Sequence, residues 1–254
     1  MKRNKYIIFV LMLLFFSACS NKNNSSASVQ EHKEDKQRKE FNYTSYLDGV
    51  NLSENQEIGV SADFKIDIAD IGELRDGTTN VFIGTIDSID GCSTIAETGE
   101  FIPIPQTYGK ITVIDNLSGK VTNPTIKFTR AGGTLTIAEY EEYAPEEMII
   151  NDDKHRKEVG LEDIDKESTY LTFFYDDDIT IEAGKTYLFF TIYESKTDSY
   201  VIDGVQYGAR EIYQPSSKKS VFRTMPEESS LTVKNNDTEE YESLENLIDQ
   251  YFSE

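Results

Sequence analysis

From Ile58 onward the chain is a series of short runs rich in Ile, Val, Thr, Tyr and Phe, separated by Gly, Asn-Pro and acidic turns. They are "NVFIGTIDSI" at 80–89, "YGKITVID" at 108–115, "TIKFTR" at 125–130, "TLTIAE" at 134–139, "TYLTFFYD" at 169–176, "KTYLFFTIYE" at 185–194, "YVID" at 200–203, "GAREIYQ" at 208–214 and "SVFRTM" at 220–225. β-Branched and aromatic side chains fit a pleated, half-buried surface, and many of these runs alternate as antiparallel strands do. A strand about every ten residues favours a closed barrel or a sandwich. The fold class expected is therefore mainly β.

Three segments depart from this pattern. Ile68, Ile71 and Leu74 fall at i, i+3 and i+6 and end in "RDG", which predicts a short helix closed by a turn. Residues 140–168 are charged and helix-tolerant, and read as an insertion between strands. Within 239–253, Tyr241, Leu244, Ile248 and Tyr251 share one stripe with Leu247 and Phe252 beside it. That is an amphipathic C-terminal helix, placed in the segment 231–254.

At the other end, Lys2, Arg3 and Lys5 precede eleven apolar or aromatic residues, Tyr6 to Phe16, followed by Ser17 and Ala18. This is the basic head, oily centre and small-residue exit of a secretory signal, expected over 1–18. A membrane-spanning helix needs about 20 apolar residues. The run is too short.

The quartet Phe16-Ser17-Ala18-Cys19 resembles the lipobox of bacterial lipoproteins, with phenylalanine where leucine is usual. The resemblance implies a diacylglyceryl thioether on Cys19 and cleavage just before it. Two acyl chains, at about 0.8 kcal/mol per buried methylene, anchor stably where one is marginal. The expected location is the outer face of the cell membrane, held there by Cys19. Residues 20–40 contain only Ala27 and Val29 as apolar side chains, so 19–56 is expected to be a disordered polar tether with the β domain running over 57–230.

Charge narrows the partners. Residues 41–254 carry 17 Lys and Arg against 42 Asp and Glu, a net of −25. A field of that sign repels phosphate backbones, which excludes nucleic acid. It suits a cationic or protein ligand at the cell surface. With Cys19 consumed by lipid, Cys92 is unpaired and no internal disulfide can form.

The succession "VFIGTIDSI", "YGKITVIDNLSGKV", "TIKFTRAGG" and "AGKTYLFFTIY" is similar to a group of small Gram-positive lipoproteins. Those look like the netrin-like OB barrel of the tissue inhibitors of metalloproteinases. The resemblance covers about residues 68–215, with the turn Asn116-Leu117-Ser118-Gly119-Lys120 and the late strand from Gly184 through Tyr187, Leu188 and Phe190. It implies an OB-like antiparallel barrel. Inhibition does not carry over, because the inhibitors use a free amino-terminal cysteine and bracing disulfides that this chain lacks.

Few residue patterns point to chemistry. "AGKT" at 183–186 has Ile179 where a phosphate-binding loop needs glycine, and reads as a turn into a strand. His32 lies in the tether, which leaves Cys92 and His155 as the sole nucleophile and base candidates; Cys92 reads better as a small core residue. Asp176, Asp177 and Asp178 form the densest acidic turn and are the weak candidates for a Ca²⁺ site, although a solvated hairpin turn is the better reading of them. No cofactor is expected otherwise. The function expected is a non-enzymatic binding or interaction module, with a cation-dependent surface enzyme, or a peptidase inhibitor by fold resemblance alone, as the alternatives.

Overall fold

The structure is a computed structural model that describes residues 42–53, 55–96, 99–175, 178–216, 218–220, 222, 224–225 and 230–253. The expected signal and the first part of the tether lie outside them. In chain order the elements are β1 (Thr44–Ser45), β2 (Gln56–Val60), α1 (Ile71–Gly77), β3 (Asn80–Ile95), β4 (Phe101–Ser118), β5 (Thr125–Ala131), β6 (Gly133–Thr136), α2 (Ile137–Glu141), α3 (Glu146–Glu158) and β7 (Tyr170–Tyr175). They continue with β8 (Thr186–Glu194), β9 (Ser199–Ile202), β10 (Ala209–Tyr213), β11 (Thr232–Lys234), β12 (Tyr241–Ser243) and α4 (Leu244–Tyr251). The fold is mainly β, as expected.

Most strands join one large sheet ordered β1-β3-β4-β5-β9-β8-β10-β11-β12, and β8 also pairs with β3. The pairings β3-β4-β5-β9-β8 therefore return to β3. Register shifts at five points along β3 and β4 bend that long hairpin, since each bulge adds local twist. The expected all-antiparallel pairing is corrected: β5 and β9 run parallel, as do β1 with β3 and β2 with β7. The insertion 140–168 and the turn at 195–198 set these directions, because a parallel neighbour needs a long crossover whereas a hairpin needs a few residues.

Side chains alternate between two cores. From β3 and β8, Phe82, Ile86, Tyr187 and Phe189 enter one cluster with Ile111, Ile126, Phe128 and Tyr200. Their neighbours Val81, Ile83, Leu188 and Phe190 enter another, covered by Leu74 of α1 and Leu244 and Leu247 of α4. Strands buried on both faces read as continuous apolar runs, which is why "TYLFFTIYE" lacks polar alternation in its first half. A third cluster of Leu135, Ile137, Tyr140, Leu171 and Phe173 belongs to the small sheet β2-β7-β6 and α2.

Four expected boundaries move. The expected tether to residue 56 is corrected, because the folded body is already present by residue 42. Thr44 and Ser45 pair with β3, and Tyr46 reaches Thr134, with its hydroxyl 2.6 Å from that carbonyl. The expected strand 134–139 stops at Thr136, whose side chain accepts from the Glu139 amide while Glu139 accepts from the Thr136 amide. That capping box starts α2. The expected helix 239–253 begins only at Leu244, capped by Ser243, and Tyr241 is spent on β12. Finally, the described residues of 220–225 are not strand; Thr85 and Thr186 side chains bond the Phe222 backbone in place of a ladder.

The helix α3 has no buried residue. Its apolar hold is thin, with Met148 packed against the third cluster, so ion pairs contribute to keeping it in place. Arg156 and Lys166 each bind both Glu141 and Asp153, closing a four-membered ring that ties α3 to α2. Lys166 and Arg156 hold the Asp153 carboxyl below its ordinary 3.8, so this contribution is present above that value and fades as pH falls through the depressed one. Arg156→Gln removes two of the four contacts at about 0.2–1 kcal/mol each. Amide exchange over 146–158 is expected to accelerate by about two- to thirtyfold, and 1 M salt, which cuts screening distance to about 3 Å, to act in the same direction. Unchanged exchange would contradict the ring's role.

Candidate functional site: a four-walled cleft over a buried ion pair

The β5 alternation Ile126, Phe128, Arg130 points all three inward. The third is a charge. Arg130 therefore needs a partner in the interior, and finds it in Asp178, at the end of the segment after β7; the two side chains are only 10% and 7% exposed. Arg130 Nη1 also donates to the Ile179 carbonyl at 3.0 Å, while the Ile179 amide donates to Asp178 Oδ1 at 2.8 Å. Among the described residues, Arg130 Nε is buried without a hydrogen-bond partner. Burial pushes the Asp178 carboxyl up, and the guanidinium and the Ile179 amide pull it partly back.

Over this pair opens a cleft of about 400 Å³. Its walls come from 43–48, from the β5–β6 corner, from β7, and from 178–183. Tyr46 fixes the first wall to the second, donating to the Thr134 carbonyl and accepting from the Thr134 amide at 3.2 Å. Thr134 and Thr172 hydroxyls lie 2.9 Å apart, and Asn55 donates to Thr172 at 2.9 Å, so a row of hydroxyls crosses the cleft wall. Burial raises the Tyr46 phenol well above its ordinary value, keeping it a neutral donor at all ordinary pH.

The sequence-derived candidates fall as follows. Cys19, Asp176 and Asp177 lie outside the described residues. Asp178 is not the solvated turn residue expected: its side chain is buried, and its Oδ1 is engaged by Arg130 and Ile179. Among the described residues no group of three His, Cys, Asp or Glu gathers as metal ligands. "AGKT" is a turn into β8, as expected; Gly184 takes φ +88° under the Tyr43 ring, and Lys185 pairs with Glu182 and Glu211.

Cys92 and His155 are not brought into one site. His155 is exposed on α3, whereas Cys92 is half-buried on β3 against the third apolar cluster. A Cβ on Gly133 would lie 2.6 Å from the Cys92 sulfur, so the β5–β6 corner closes over the thiol. The nearby Glu139 carboxylate is bound to the Thr136 amide at 2.7 Å and is no free base. Burial pushes the thiol up to about 12. A nucleophilic cysteine requires the opposite shift. Iodoacetamide labelling of the native protein is therefore expected to stay slow through pH 9 and rise only toward pH 12. The stability linked to the neutral thiol is full below its ordinary 9.0 and is lost as pH climbs through the raised value. Labelling at the rate of a free thiol at pH 8, read by mass, would overturn this.

Arg130 was detectable in the sequence, as a charge at an inward strand position. Tyr46 was not, since its partner is 88 residues away. Comparison with protein families, curated proteins and solved structures finds no match to this chain.

Proposed function

We propose that the protein is a lipid-anchored extracytoplasmic binding module, held at the membrane by a diacylglyceryl group on Cys19. The cleft over Arg130 and Asp178 carries the binding half of this reading. Its volume is within the range of about 300–1,000 Å³ typical of ligand sites, and its lining mixes apolar side chains with convergent hydroxyls. The anchor half is supported by the basic head, the eleven-residue oily run and the Ser17-Ala18-Cys19 exit.

An OB-like barrel is the finer reading of the fold. What supports it is the circuit of pairings through β3, β4, β5, β9 and β8, with the helical insertion between β5 and β8. The likeness to Gram-positive lipoproteins and netrin-like barrels is proposed for the fold alone, because fold analogy supplies no activity.

Fractionation of cells expressing Cys19→Ser tests the anchor. The wild-type protein is expected to stay with membranes; the variant, having nothing to acylate, is expected to lose its stable hold and appear in the medium once cleaved by any ordinary signal pathway, or to persist as an uncleaved precursor of higher mass. A variant of wild-type mass that still sediments with membranes would refute the proposal.

A further inference from the structure

The outer face of β3, β4 and β5 holds a second concavity, of about 410 Å³. It is built by register. Directly opposite one another stand Gly91 and Tyr108, Tyr108 and Thr129, and then Lys110 and Lys127, with Ser93 opposite Gln106 at the far end. Opposite residues project to the same side, so these side chains share one surface while Ile111, Ile126 and Phe128 fill the interior beneath.

Two features of this surface call for a ligand. First, Lys110 and Lys127 are like charges on directly opposed positions, an arrangement that destabilises a strand pair. Compensation is thin. Lys110 lies 3.8 Å from Asp90, with side chains 58% and 37% exposed, and among the described residues no carboxylate is within ion-pair distance of Lys127. In a chain of net charge −21, a trough whose charged lining among the described residues is two lysines and one aspartate is an inversion of the global sign. An anion between the two ammonium groups removes the repulsion. Second, the bare backbone of Gly91 lets the outer end of the Tyr108 ring lie over it, where a Cβ would come within 2.5 Å of the hydroxyl. Tyr108 is nonetheless 41% exposed. It offers aromatic surface to the trough, ringed by the hydroxyls and amide of Ser93, Thr129 and Gln106.

We propose that this trough binds an anionic saccharide, with a pyranose ring against Tyr108 and its carboxylate between Lys110 and Lys127. A pyranose pairs an apolar C–H face with a rim of hydroxyls, which matches an aromatic surface ringed by short polar groups. Its single, spaced carboxylates suit two cations. A nucleic acid strand stacks successive bases on several aromatic side chains, whereas among the described lining residues Tyr108 is the one exposed aromatic. The site is independent of the anchor, so loss of Cys19 leaves it intact.

The test is calorimetric titration of the full-length protein in detergent with hexagalacturonate, with its uncharged methyl ester, and with a single-stranded oligonucleotide of equal charge. Hexagalacturonate is expected to bind, and the ester to bind at least about fivefold more weakly. Lys127→Gln and Lys110→Gln are each expected to lower affinity by about fivefold, while the ligand-free thermal midpoint holds or rises as the like-charge pair is relieved. Tyr108→Phe retains binding and Tyr108→Thr loses it by about tenfold or more. Lys127 is exposed, so its variant reads the site even where Tyr108→Thr disturbs the sheet. Equal affinity for ester and acid, unchanged affinity in Lys127→Gln, absence of hexagalacturonate binding, or tighter binding of the oligonucleotide would each overturn the proposal.

Discussion

Arg130→Met is expected to lower folding stability by about 3–5 kcal/mol, because it strands the Asp178 carboxylate in the interior without its cation. Asp178→Leu alone should cost a similar amount by stranding the guanidinium. The double variant Arg130→Met, Asp178→Leu should recover most of the loss, since an apolar pair of similar volume avoids desolvating two charges. Urea denaturation of the four proteins closes a double-mutant cycle that isolates the coupling. The pH dependence has a defined sign. Asp178 already titrates above its ordinary 3.8 because it is buried. Stability tied to it is full below that value and is lost as pH rises through the raised one. Removing Arg130 raises the carboxyl further, so the deficit of Arg130→Met should shrink on acidification from pH 8 to pH 5. A deficit below about 1 kcal/mol, or one independent of pH, would show that the pair does not hold the cleft floor.

Phe82→Ala is expected to cost about 3–5 kcal/mol, the range for emptying a fully buried aromatic site. Phe82 lies inside the circuit of strands, with ring centroids 5.5 Å from Phe189 of β8 and 6.1 Å, edge on, from Tyr200 of β9. It joins the three strands through which the pairings return to β3. Ile192→Ala, on the exposed half of β8, should stay within about 0.5 kcal/mol. At about 2–4 °C per kcal/mol for a domain of this size, the melting midpoint of Phe82→Ala should fall by roughly 10 °C. Comparable shifts for Phe82 and Ile192 would mean that the interior of the circuit is not the principal core.

Much of this core was legible from local pattern. The strands β3, β4, β5 and β8 coincide with runs whose composition suits a sheet; of the expected stripe Ile68, Ile71 and Leu74, the last two are the buried residues of α1, while Ile68 lies before its cap, Asp70. The capping box Thr136-x-x-Glu139 was equally plain in "TIAE", but the β-branched pair Thr136-Ile137 hid it. What the chain does not write locally is long-range pairing. Arg130 and Asp178 are 48 positions apart, and three neighbouring aspartates look like a solvated turn until the inward direction of Arg130 is known. The segment 42–56 looks like linker because its apolar residues are sparse, yet Tyr46 at Thr134, Tyr43 over Gly184, the pairing of Thr44-Ser45 with β3 and Asn55 at Thr172 dock it. Parallel pairing of β5 with β9 leaves no mark on either strand.

The most direct test of the account is the intact mass of the membrane-extracted protein. The proposed anchor requires a polypeptide of residues 19–254 carrying a diacylglyceryl thioether on Cys19, with the acyl mass lost on lipase treatment. A mass equal to the unmodified 19–254 chain, or to the intact chain with Met1 to Ala18 still attached and no lipid, would contradict it.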